Sequence, residues 1–87
     1  MSIMKNKVFL ISINKIGNVF FVFFFKNNRE LSLDLLFNIG IDIKLYTDNF
    51  GNVRGHNRPG FDNEWNATKY AKKQLIKLKE LNKLNKV

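Results

Sequence analysis

At 87 residues and without a cysteine, the chain allows one small domain and excludes a disulfide framework or any cysteine-based zinc or redox site. Fifteen Lys and Arg stand against seven Asp and Glu, a formal charge of +8 that favours polyanions, nucleic acid ahead of an anionic membrane surface. Folding at this size removes only about 60–65% of the surface the unfolded chain exposes, so the core is thin.

In chain order, Val8-Phe9-Leu10-Ile11-Ser12-Ile13 forms the first predicted strand (8–13). Lys5 and Lys7 precede it as they would in a secretory signal, but no small-residue cleavage site follows. No apolar run approaches the roughly 20 residues a spanning helix needs, and no membrane insertion is expected. Asn14–Asn18 is a short loop with Gly17 available for positive φ. Val19-Phe20-Phe21-Val22-Phe23-Phe24-Phe25 follows as the second strand (19–25), uncharged and five-sevenths Phe. Such a run is buried on both faces or it aggregates. Lys26-Asn27-Asn28-Arg29 is the next turn, since Asn tolerates the left-handed conformation.

Leu31, Leu33, Leu35 and Phe37 alternate with Ser32, Asp34 and Leu36. After Asn38-Ile39-Gly40, Ile41, Ile43, Leu45 and Thr47 alternate with Asp42, Lys44 and Tyr46. Period two on both sides of a short turn predicts a hairpin of strands 31–37 and 41–47, with Asp34 opposite Lys44. A fifth, short edge strand is expected over about 52–57. Pro59-Gly60 breaks the chain, and Asp62 or Asn63 caps a helix over about 63–84.

At 100° per residue, the apolar arc of that helix carries Ala67, Tyr70, Ala71, Gln74, Leu75, Leu78 and Leu81. The opposite arc carries Lys69, Lys72, Lys73, Lys77, Lys79, Lys83 and Lys86, with Trp65 and Ile76 among them. The expected fold is α+β: an antiparallel meander of four to five strands, with one C-terminal amphipathic basic helix packed on one face. A single helix cannot cover both faces of the first two strands. One face of the Phe run is therefore expected to meet another protein, with Phe20, Phe21, Phe23, Phe24, Trp65 and Ile76 as interface residues.

Catalytic chemistry finds little support. The only histidine, His56, lies in a Gly- and Asn-rich loop, and no carboxylates stand at metal-ligand spacing, so no cofactor or metal is implied. Gly51, Gly55 and Gly60 lack the strand–loop–helix setting of a phosphate-binding fingerprint. Arg54, His56 and Arg58 alternate on one segment, as a small basic ribonuclease would require, but they serve a passive backbone contact with less geometry. The RNA-binding residues expected are Arg54, Arg58, Lys69, Lys72, Lys73, Lys77, Lys79 and Lys83, which neutralise phosphates in a salt-dependent way. A stacking role for the Phe run is disfavoured, because sheet-surface RNA binders set a few aromatics among basic residues.

Thr47-Asp48-Asn49-Phe50-Gly51-Asn52, then Gly60-Phe61, then Thr68-Lys69-Tyr70-Ala71 resembles, in motif order, the ribosomal small-subunit protein S11 family. That family carries a Thr-Asp-x-x-Gly-Asn turn between strands, then Gly-Phe, then Thr-Pro-Tyr/Phe-Ala at a helix start. The likeness covers about a third of the chain, and Lys69 stands where the family has Pro. It implies an RNA-binding ribosomal protein whose Gly51-Asn52 turn and helix start face rRNA.

The expectation is thus a structural RNA-binding protein, not an enzyme: a component of a ribosome or another large intracellular ribonucleoprotein, with rRNA and neighbouring proteins as partners. A mitochondrial or other organellar setting suits the Asn-, Lys-, Ile- and Phe-rich composition, whose codons are A/T-rich. The alternatives are a protein-interaction subunit or small inhibitor acting through its Phe-rich sheet, and a small basic ribonuclease or toxin.

Overall fold

The computed structural model describes residues 2–5, 8–53 and 58–84, with side chains described over 3–5, 8–53 and 58–80. The sheet is antiparallel, with strands β1 (Ser2–Lys5), β2 (Phe9–Ile16), β3 (Val19–Lys26) and β4 (Arg29–Glu30) side by side in that order. A short α1 (Leu33–Asn38) follows, then β5 (Gly60–Phe61), which pairs with β3, and finally the long α2 (Glu64–Leu84). This is the expected α+β arrangement of sheet and C-terminal helix.

The first hairpin is tighter than the expected five-residue loop. Ile16 pairs directly with Val19, leaving only Gly17 and Asn18 in the turn, with Gly17 at φ +64°. The next turn also has two residues, Asn27 at φ +51° and Asn28 at φ +67°, and sets Lys26 opposite Arg29. Two positive-φ residues in a two-residue connection match the right-handed twist of the strands they join. The outer edge of β3 is then closed in two pieces. Leu31 N–H donates to Phe24 O at 2.8 Å at one end, and Val22 N–H donates to Pro59 O at 2.9 Å further along.

The predicted hairpin of strands 31–37 and 41–47 does not form. Residues 33–38 are helical, because the Ser32 hydroxyl accepts from Leu35 N–H at 3.3 Å as an N-cap and Asp34 occupies the first turn. The far end is a Schellman motif. Gly40 at φ +86° donates to Phe37 O at 3.1 Å, Ile41 donates to Leu36 O at 2.9 Å, and Leu36 and Ile41 both lie in the core. Asp34 consequently has no strand from which to face Lys44. Residues 41–47 form no strand; among the described residues they make isolated bridges, Leu45 to Pro59 beside the sheet and Thr47 to Val53 across the following turn. Of the expected edge strand 52–57, Val53 makes the second of these bridges and 54–57 lie outside the described residues.

The core lies between α2 and one face of the sheet. Phe9, Ile11 and Ile13 of β2, with Val22 and Phe24 of β3, meet Ala67, Tyr70, Ala71 and Leu78 of the helix. Two buried alanines let the helix backbone come close to the strands. Phe24 is 2% exposed and meets Tyr70 edge-on at 6.2 Å. Emptying such a site by Phe→Ala costs about 3–5 kcal/mol. The other sheet face is covered in part by the returning chain. Tyr46 packs edge-on against Phe21 at 6.4 Å, and Arg58 lies over Phe23 with its guanidinium carbon 4.5 Å from the ring centroid.

Candidate nucleic-acid interface

Asn63 is the N-cap of α2, its Oδ1 accepting from Asn66 N–H at 2.8 Å. The helix then turns Ala67, Tyr70, Ala71, Gln74 and Leu78 toward the sheet, as the wheel predicts. Lys69, Lys72, Lys73, Lys77 and Lys79 are all exposed. Lys83 lies in the last turn of α2, beyond the described side chains. Within α2 six lysines oppose Glu64 and Glu80, so the outward surface is strongly positive. Trp65 and Ile76 stand in the middle of it, 70% and 60% exposed, and the Lys69 ammonium sits 5.2 Å from the Trp65 ring centroid.

Arg58 behaves differently. Arg54 and His56 lie outside the described residues. Arg58, expected as an RNA contact, has its charge matched within the chain: Nε donates to Glu30 Oε2 at 2.7 Å and Nη2 to Glu30 Oε1 at 2.8 Å. That hydrogen-bonded pairing raises the guanidinium pKa further. A guanidinium held in such a fork and stacked on Phe23 has a structural role.

The expected protein-interface residues also divide. Trp65 and Ile76 are open. Phe24 is consumed by the core and Phe21 is 4% exposed beneath Tyr46, so neither offers free surface. Phe20 is half-buried on the helix side with Lys15 5.7 Å from its ring centroid, and Phe23 is half-buried under Arg58. The reason is that Tyr46 and Arg58 lie over Phe21 and Phe23 on the second face of the sheet, while Gly60 and Phe61 extend its edge. What stays open on that face is peripheral, chiefly Ile3 and Ile16.

A recess of about 330 Å³ lies beside α2, lined by Asp42, Lys44, Phe61, Asn66, Lys69, Tyr70, Lys73 and Gln74. Three lysines face one carboxylate there, and the Lys44 ammonium is 5.6 Å from the Phe61 ring centroid. Gln74 is fully buried. Its Oε1 accepts from Asp42 N–H at 3.2 Å, while its Nε2 has no hydrogen-bond partner among the described residues. The Tyr70 hydroxyl donates to the Asp42 carbonyl. Lys44, Asn66 and Gln74 escape a reading of the sequence as interface residues. The available signal was Gln74, a polar residue on an otherwise apolar arc.

The Thr47–Asn52 turn is internally stapled. Asp48 Oδ1 accepts from Phe50 N–H at 2.9 Å and Asn52 N–H at 3.0 Å, and Gly51 has φ +83°. Phe50, at the tip, is 88% exposed. Among the described residues no helix is long and apolar enough to cross a membrane. Compared with protein-family models, with curated proteins and with solved structures, the chain matches none.

Proposed function

We propose that the protein is a structural RNA-binding component of a ribonucleoprotein, a ribosome being the assembly its small size and basic charge suit best. It grips RNA phosphates through the outer face of α2. The observation that carries this reading is that five exposed lysines share the outer face of α2 with an exposed Trp that the fold does not use. A merely solvated helix face has no need of exposed Trp65 and Ile76, whereas a contact surface does. The sheet anchors the helix as a rigid rod, so these charges are presented at fixed spacing to a phosphate backbone. Neighbouring proteins in such an assembly have the open rim of the second sheet face, with Ile3 and Ile16, to pack on.

The test is retention of the purified chain on structured RNA as salt is varied. The logarithm of affinity should fall linearly with the logarithm of salt concentration, at about 0.7–0.9 per phosphate neutralised. Absence of retention at low salt would exclude the reading. Degradation of the RNA during prolonged incubation would instead point to a nuclease.

A further inference from the structure

We infer that the RNA held by α2 is unpaired where it meets the helix, with one base stacked on Trp65 and an adjoining phosphate in the recess lined by Lys44, Lys69 and Lys73. This rests on the RNA reading above and names the class of RNA that fits it. Trp65 lies in the first turn of α2 on the side away from the sheet, so its 70% exposure leaves an aromatic surface unused by the core. Bases inside a duplex stack on one another and cannot reach such a surface. An unpaired base can, and every base offers a π-face.

Lys69 belongs to both halves of the site. Its ammonium lies 5.2 Å from the Trp65 ring centroid, and the same residue lines the recess. A nucleotide is the ligand with that shape, joining a flat ring to an anion a few bonds away. Among the residues lining the recess donors outnumber acceptors, with three lysines, the Asn66 amide and buried Gln74, whose Nε2 has no partner among the described residues. Asp42 supplies the single carboxylate, and its carbonyl and N–H are already taken by Tyr70 and Gln74. Phosphate oxygens are acceptors of the kind this set lacks. An acidic protein segment would satisfy the lysines but has no planar group required beside them, so charge and ring together favour RNA.

Trp65 is the only tryptophan, so the emission of the intact chain reports directly on the site. At low salt, a short oligoadenylate should quench that emission, and an adenine–uracil duplex of equal length should bind without quenching it. Trp65→Leu should weaken single-strand binding about tenfold and leave duplex binding unchanged, while Trp65→Phe keeps most of the affinity. Lys44→Gln with Lys73→Gln should lower the salt slope of single-strand binding. Equal binding of both RNAs with unaltered emission would overturn the inference and leave the helix–RNA reading standing. Failure to bind either RNA would remove both. Quenching by polyglutamate but by neither RNA would reassign the face to a protein partner.

Discussion

Arg58 and Glu30, 28 residues apart in the chain, meet in a two-pronged ion pair of 2.7 and 2.8 Å with the guanidinium stacked on Phe23. The pair is partly exposed, with side-chain accessibilities of 27% and 35%, so solvent screening limits its worth. Arg58→Lys keeps the charge and loses the fork. It should lower the stability to urea by about 0.5–1 kcal/mol while leaving RNA affinity unchanged. A marked loss of RNA affinity with unaltered stability would place Arg58 at the RNA after all.

The helix should give the opposite result. Lys72→Glu, Lys73→Glu and Lys77→Glu change exposed side chains, so the circular dichroism spectrum and urea midpoint should stay close to the parent's. Together they should weaken RNA binding and flatten its salt dependence by about 0.7–0.9 for each phosphate left unneutralised. Unfolding of the triple variant would show that these lysines are packed and not open.

Gly60 is required by close packing. A Cβ at this position would lie 2.6 Å from Tyr46 Cβ and 2.8 Å from Phe21 Cε1. Neither atom is the free end of a flexible chain, so relief requires moving the 45–47 segment off the sheet. Gly60→Ala should cost about 1–3 kcal/mol in urea denaturation. A Gly60→Ala protein as stable as the parent would mean that Tyr46 does not cover Phe21.

Tyr70 predicts an alkaline limit to stability. Burial first, and then the Asp42 carboxylate, raise its phenol far above the ordinary value near 10. The folded pKa is above the unfolded one, so the contribution is complete below about pH 10 and is lost as pH rises beyond it. Urea midpoints should fall progressively as pH rises above about 10, and the fall should be shallower in Tyr70→Phe. That variant should also lose about 0.5–1.5 kcal/mol at neutral pH with the hydrogen bond to the Asp42 carbonyl. Tyr46 is raised too, chiefly by the Asp62 carboxylate, so Tyr46→Phe is the control. An unchanged alkaline slope in Tyr70→Phe would assign the loss elsewhere.

The Phe run and the C-terminal helix are legible in the sequence because each repeats one strong local signal over many residues. The 31–47 region misleads because Leu31, Leu33, Leu35 and Phe37 alternate like a strand. In the fold Leu35 and Phe37 are 51% and 74% exposed, while Leu36, out of step with them, is 3% exposed. The stronger cues were the Ser32 cap and the Gly40-Ile41 pair, which stop a short helix at both ends. Alternation at Ile41 and Ile43 does describe which side chains reach the core, but it cannot show whether an extended segment finds a hydrogen-bonded neighbour. Strand β1 is too short at four residues to stand out. The basic helix face is likewise readable from spacing. The recess beside it depends on Lys44, brought there by a segment whose path only the tertiary structure reveals.

The outer edge of β3 is completed by segments that leave the sheet at Leu31 and return at Pro59, with Glu30 and Arg58 linked at the neck. The chain between them is an excursion whose ends are held together independently of its length. Loop closure grows only logarithmically, at about 0.6 kcal/mol for each doubling. Residues added at the exposed Phe50–Asn52 tip would therefore tax the fold little. The neck makes this small protein a ready acceptor for an inserted peptide.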